Sequence, residues 1–215
     1  MPPGAGQTPR HGGGERVPGS GRRLGGRRSG ERARELAGRL GVRTAVLLEG
    51  LSDLAAVEAL AARQGRDLAA EGVGVVQMGG AMNVGRYAVA LGPPGLGLRL
   101  TGLCDVRERP FCERGSDRAG APADAVLACS ADLEDDLVRA LGTARVEEAV
   151  RAEGDDRAWR TFLRRPAQLG RPRSQQLRRF LGTKKGRKIR YGHLLAEALG
   201  PGQVPAPLTD LFASL

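Results

Sequence analysis

Short apolar runs recur along the first two thirds of the chain, the first three of them closing on a glycine or an acid. Thr44-Ala-Val-Leu-Leu48, Val73–Met78, Leu98–Leu103 and the shorter Ala125–Cys129 are the four of them. They are continuous rather than alternating, so both faces of each strand are buried, the pattern of a parallel sheet covered by helices on both sides. Between the runs, apolar residues recur at helical spacing in Asp53–Arg63, Asn83–Leu91 and about Leu133–Leu141. Ahead of them, Glu31–Leu40 predicts a short helix stopped by Gly41. Arginine and glycine crowd the segment from Glu108 to Ala123, which predicts a loop. Strand alternating with helix predicts an α/β fold: a mostly parallel, Rossmann-like sheet of about four strands with flanking helices. Ligands in such sheets bind at the carboxyl ends of the strands.

Beyond Leu141 the pattern changes. Between Arg157 and Arg190 the chain carries thirteen basic residues and no Asp or Glu. Ile189–Leu199 is apolar at helical spacing, and Pro201 and Pro205-Ala-Pro207 precede a terminal helix, Leu208–Leu215. Three regions follow: a disordered Gly/Pro/Arg-rich basic tail over 1–30, an α/β domain over 42–142, and a basic helical region over 143–215.

Composition narrows the function. At 215 residues the chain suffices for one ordinary domain plus tails. No stretch approaches the eighteen apolar residues of a membrane span, so no membrane partner is expected. Met1–Gly30 lacks the apolar centre of a secretory signal. The three cysteines (Cys104, Cys112, Cys129) form no disulfide framework, and a reducing, cytoplasmic setting fits best. The net charge of +10 points to a polyanion. Its distribution points to phosphate contacts from Arg164, Arg165, Arg171, Arg173, Arg178, Arg179, Lys184, Lys185, Arg187 and Arg190. The interleaved Trp159, Phe162, Phe180 and Tyr191 read as core rather than as stacking platforms.

The acids lie at the ends of the apolar runs. In Val46-Leu-Leu-Glu-Gly-Leu-Ser-Asp53 a carboxylate follows a buried strand directly, which is costly unless it faces solvent or a cation. Gly50 permits a tight turn there, and Asp53 falls within reach of the same point if a helix starts near Ser52. Asp105 ends the third strand run, and Glu134 follows the fourth. Carboxylates with few histidines suit hard cations such as Mg2+ or Mn2+; zinc is disfavoured because only His11 and His193 are present.

In this order the motifs resemble a Toprim domain: Leu-Leu-Glu49-Gly50-x-x-Asp53, then Met78-Gly79-Gly80-x-x-Asn83, then Leu103-Cys104-Asp105. The nearer resemblance is to the Toprim portion of the overcoming-lysogenization-defect (OLD) family endonucleases, where Asp follows the Glu-Gly pair. Ala131-Asp-Leu-Glu134-Asp-Asp-Leu137 resembles that family's later Leu-Glu motif. Gly186-Arg-Lys188-Ile-Arg-Tyr191, ahead of Leu194-Leu-Ala196, resembles its closing lysine-bearing helix. The resemblance runs from about Arg43 to Leu215. It implies a DNA endonuclease that uses two divalent cations. Glu49 and Asp53 would hold one ion, Asp105 the shared face and Glu134 the second, with Lys188 beside the developing charge. Where Toprim proteins show Asp-x-Asp, this chain has Asp105-Val-Arg107, with Glu108 as a substitute. No Gly-x-x-x-x-Gly-Lys-Ser/Thr segment occurs, so no ATP site is expected here, and a separate ATPase subunit would serve as partner if one is used. The alternative is a catalytically degenerate Toprim module that binds nucleic acid or a partner protein, favoured by Arg107. The sequence leaves the oligomeric state open, a dimer being one option.

Overall fold

The computed structural model describes residues 31, 34–120, 127–129 and 132–215, except for the side chains of 127–129 and 185. The expected basic tail over 1–30 lies outside the described residues, as does the start of the Ala125–Cys129 run. A short helix α1 spans 34–39. Four parallel strands follow, β1 (Thr44–Leu48), β2 (Val73–Gln77), β3 (Arg99–Asp105) and β4 (Leu127–Cys129), in the order β2-β1-β3-β4. Helices α2 (Leu51–Arg63), α3 (Val84–Leu91) and α4 (Arg109–Arg118) link them, with a 3-10 turn at Ala81–Asn83 before α3. The chain then becomes wholly helical through α5 (Leu133–Leu141), α6 (Thr143–Ala152), α7 (Asp156–Leu163), α8 (Arg173–Leu181), α9 (Lys185–Ala198) and α10 (Ala206–Ser214). The parallel sheet and flanking helices are as the apolar runs predict.

All five residues of β1 are buried, and its alternate side chains serve opposite layers. Ala45 and Leu47 face α3 and α4, packing with Ala88, Val84 and Cys112. Val46 and Leu48 face the other way, into one large core shared by α2 and the C-terminal helices, where Leu60, Leu137, Phe180, Tyr191, Leu195 and Leu211 are buried. Full burial of each such side chain is worth about 1.5–3 kcal/mol. A chain of apolar contacts thus runs unbroken from β1 to α10, and the C-terminal helices complete the layer on that face.

The expected loop over Glu108–Ala123 is helical from Arg109 to Arg118. The arginines and glycine that predicted a loop lie on an exposed face or in a close contact. Cys112, Gly115 and Ser116 are buried, and a Cβ on Gly115 would sit 2.9 Å from Val84 Cγ1 and 3.0 Å from the Gly85 nitrogen. Close approach to α3, together with an Arg109–Glu113 pair at 2.8 Å, sustains a helix that its hydropathy hides.

α9 lies against α2 along its length, and Gly192 sets how near. A Cβ there would stand 2.5 Å from the Ser52 carbonyl oxygen, so only glycine admits this approach. One turn earlier on the same helix is Lys188.

Candidate active site

The turn that follows β1 is built on backbone. Glu49 is the first residue past the strand, and its carbonyl accepts from the amides of Gly79 and Gly80, both at 3.1 Å, and from the Gln77 side chain at 3.3 Å. Gly79 and Gly80 have φ of 76° and 119°, open to glycine at no steric cost. Asn83 closes the second turn by donating to the Met78 carbonyl at 3.0 Å. The glycine pair therefore anchors the Glu49 backbone. The Gly50 amide donates to Asp53 Oδ2 at 2.9 Å, fixing that carboxylate at the start of α2. Its other oxygen has no protein donor among the described residues.

Asp105 is the last residue of β3, and Asp132 caps α5 after β4, accepting from the Asp135 amide at 2.8 Å. Glu134 is buried in the first turn of α5, and its Oε1 lies 3.2 Å from Lys188 Nζ. Glu49, Asp53, Asp105, Asp132, Glu134 and Lys188 all line one small cleft of about 80 Å³ at the carboxyl ends of the strands. The sequence-predicted Glu49, Asp53, Asp105, Glu134 and Lys188 are thus side by side, joined by Asp132. Oxygens of Glu49, Asp105 and Glu108 also lie within 4.8 Å of one another, a spacing that a single cation spans.

Electrostatics marks the cleft as over-supplied with acid. Burial, the Glu108 carboxyl hydrogen-bonded to it, and the charges of Asp105 and Asp53 push Glu49 up to about 7. Asp53 rises to about 6, through burial and the Glu134 charge, against the lowering pull of the Gly50 amide and Lys188. Asp105 rises to about 6 as well, through burial and then Asp132, Glu108 and Asp53. Burial opposes the Lys188 ammonium, yet Glu134, Asp53 and Asp132 more than offset it and raise its pKa. One lysine cannot neutralise this many carboxylates. Glu108 Oε2 is moreover buried without a hydrogen-bond partner among the described residues, which is costly in any site that never receives a cation.

Two members of the site are weakly signalled in the sequence. Glu108 enters there only as a substitute for a missing aspartate; α4 brings it beside Glu49 because Asp105 and Glu108 are three residues apart across a tight turn, with the Glu108 amide donating to the Asp105 carbonyl at 2.8 Å. Asp132 is overshadowed by Glu134. An aspartate directly before a helical run reads as a cap, and here it both caps α5 and lines the cleft. Arg107 is exposed, and does not line the cleft.

The basic residues divide. Arg187 is buried against the Phe180 ring at 4.1 Å, donates to Thr183 Oγ1 at 2.6 Å, and pairs with Asp155 at 3.0 Å. Arg190 shares Asp155 at 2.5 Å, Arg173 pairs with Glu147 at 3.1 Å, and Arg178 pairs with Asp132. These four are engaged inside the fold or across it. Arg164, Arg165, Arg171, Arg179 and Lys184 are exposed and have no acidic partner among the described residues; the Lys185 side chain lies outside that set. The aromatic rings are buried: Trp159, Phe162 and Phe180 pack at centroid distances of 5.9, 5.0 and 5.5 Å. No described helix is long and apolar enough to cross a membrane.

Comparison with known proteins gives the same direction. Residues 40–106 match the family model "Overcoming lysogenization defect protein-like, TOPRIM domain". A sequence search of curated proteins finds no match. Among solved structures, the C-terminal region of the Xanthomonas campestris pv. campestris OLD protein superposes with a TM-score of 0.61 at 21% identity, covering 80% of this chain and 93% of that one. The C-terminal region of the Burkholderia pseudomallei OLD protein gives 0.57 at 20% identity, over 80% and 96%. At these identities the likeness is one of fold.

Proposed function

We propose that the chain, whose residues 40–106 match an OLD-like Toprim domain, is a divalent-metal-dependent endonuclease that hydrolyses phosphodiester bonds in DNA. The observation that carries this reading is the convergence of Glu49, Asp53, Asp105 and Glu134, from three different strand ends, on one cleft with Lys188. The donor set fits the cation: all are carboxylate oxygens, and Glu49, Asp53 and Asp105 are held above their ordinary range by burial and neighbouring acids. Glu49, Asp105 and Glu108 would hold one Mg2+ or Mn2+, and Asp53 and Glu134, with Asp132, a second. Such ions supply Lewis-acid polarisation of the phosphate and a water made acidic enough to attack at neutral pH.

The residues of the chain have their own tasks. The Gly79–Gly80 turn and the Gly50 amide hold Glu49 and Asp53 before any ligand arrives, so the cost of gathering like charges is met during folding. Lys188, kept protonated by Glu134 and Asp53, places a positive charge beside the reacting phosphate's non-bridging oxygens. Phosphate contacts from the unpaired arginines and Lys184 hold the strand. Such a unit would act with a separate ATPase subunit or alone.

Supercoiled plasmid incubated with the protein and Mn2+ is expected to be nicked or linearised, and EDTA to prevent it. Glu49→Gln should reduce the rate on the order of 10³-fold, the scale for removing one group that stabilises charge at a reacting centre, while oligonucleotide affinity persists. Intact plasmid with Mn2+ across neutral pH, together with undiminished DNA affinity, would instead favour the binding module that Arg107 suggests.

A further inference from the structure

A second cavity lies away from the acids. It is about 600 Å³ and sits where α7 meets the α8–α9 junction, lined by Arg157, Thr161, Arg165, Thr183, Lys184 and Arg187 around Phe162 and Phe180. No acidic side chain lines it. Arg187 is neutralised by Asp155, and the Thr161 and Thr183 hydroxyls donate to the Arg157 and Phe180 carbonyls at 2.9 and 2.7 Å. Arg157, Arg165 and Lys184 remain, three exposed cations facing one concavity without an acidic partner among the described residues. Arg165 is partly ordered in advance, its guanidinium 5.4 Å from the centre of the Phe162 ring.

The position of this cavity gives it meaning. A smaller recess, lined by Asp132, Glu134, Arg178, Arg179, Gly182 and Lys188, opens from the acidic cleft, with which it shares Asp132, Glu134 and Lys188. Gly182 belongs to that recess, while Thr183 and Lys184 line the basic cavity. The three-residue turn between α8 and α9 is therefore the common wall. A path of positive charge runs from Lys188 past Arg179 and over this turn to Arg157, Arg165 and Lys184.

We propose that the basic cavity is a distal phosphate subsite, holding a backbone phosphate of the same strand whose reacting phosphodiester lies in the acidic cleft. This rests on the reading of that cleft as a nucleic-acid site. The strand crosses the Gly182–Lys184 turn, and the cavity sets where along it the reacting bond falls. A cluster of three fork- or point-charge donors around a concavity suits a tetrahedral anion better than a base, since Arg165 and Arg187 already cover the Phe162 and Phe180 rings.

Binding of fluorescein-labelled oligonucleotides to the full chain in EDTA, followed by anisotropy as salt is raised, tests this. The readout needs no metal and no cleavage, so failure of the nuclease reading and failure of this one are distinguishable. Replacing Arg157, Arg165 and Lys184 together by alanine is expected to weaken binding at least tenfold. It should also flatten the salt dependence by about 0.7, the value for one phosphate no longer neutralised on a single strand. Arg157→Lys with Arg165→Lys keeps the charges and is expected to keep the slope. An unchanged slope in the alanine variant overturns the proposal. So does an equal loss when Arg86, Arg114 and Arg118, on the opposite α3–α4 face, are replaced by alanine instead. A loss confined to oligonucleotides bearing a 5′-terminal phosphate also overturns it, because the pocket would then hold a strand end.

Discussion

The acidic cleft and the basic helical face are both dense in charge, and they are built on opposite terms. In the cleft, Glu49, Asp53 and Asp105 are all held above the usual carboxylate range, with Lys188 the sole cation lining it among the described residues. On the basic face roughly half the cations are paired, and Asp155 alone engages Arg187, Arg190 and the Tyr191 hydroxyl. Asp155 is accordingly held below its ordinary pKa, first by the Arg187 hydrogen bond. Charge in this protein thus falls into two kinds. Where opposite charges satisfy one another, as around Asp155, the group belongs to the scaffold. Where like charges are gathered and left uncompensated, folding has borne a cost that a ligand of opposite charge removes.

Gly192→Val should break the comparison most completely. The new side chain meets the Ser52 carbonyl, and overpacking of this kind costs about 1–3 kcal/mol, sometimes more. Because α9 carries both Lys188 for the cleft and Arg187 for the scaffold, thermal unfolding should shift down and cleavage should fall together. Gly192→Ala should do the same to a smaller degree. A variant with unchanged melting would show that α9 does not approach α2 as closely as described.

Arg187→Ala is next. It strips Asp155 of its principal donor and leaves a cavity beside Phe180, at a cost of about 2 kcal/mol, the scale of losing a hydrogen bond to a charged group. Chemical denaturation measures it. Oligonucleotide affinity, corrected for the unfolded fraction, should hardly change.

The pH dependence sharpens the contrast further. Glu49, Asp53 and Asp105 bind protons more tightly in the folded state than in the unfolded one. Their contribution to stability is therefore full below the ordinary carboxylate range and is lost as pH rises through about 6 and 7. Asp155, lowered, has the opposite sign: its contribution is present above the ordinary aspartate range and lost only in acid. In EDTA, the melting temperature should fall between about pH 4 and about pH 7 from the cleft groups, and Mg2+ should restore it increasingly over the same window. A Mg2+ effect independent of pH would separate the ion from these carboxyls. The smallest effect is expected of Arg179→Ala: a solvated cation without an acidic partner among the described residues, whose loss should change stability by no more than about 0.5 kcal/mol while lowering DNA affinity.

Much of the fold was legible. The strand run Thr44–Leu48 and the helix Leu133–Leu141 coincide with β1 and α5, because a buried parallel strand and an amphipathic helix write their surroundings into local hydropathy. α4 was not legible. Its mean composition is polar, and what holds it is a close approach of Gly115 to Gly85 on another helix. For the site, Glu49 and Asp105 announced themselves by ending apolar runs, and Asp53 by its spacing from Glu49 across the Gly50 turn. Glu108 did not, since its place beside Glu49 depends on the turn into α4. The basic segment was visible as an absence of acids between Arg157 and Arg190, but the acids that pair with it, Asp155, Glu147 and Asp132, lie outside that window.

By itself the sequence determined the layers of this protein and the strand ends where its acids emerge, because burial and period act over a few neighbouring residues. Tertiary structure alone decided which charges far apart along the chain satisfy one another. Asp155 and Arg187 are 32 residues apart, Arg178 and Asp132 are 46 apart, and Coulomb energy depends on the distance in space that folding sets, whatever the separation along the chain.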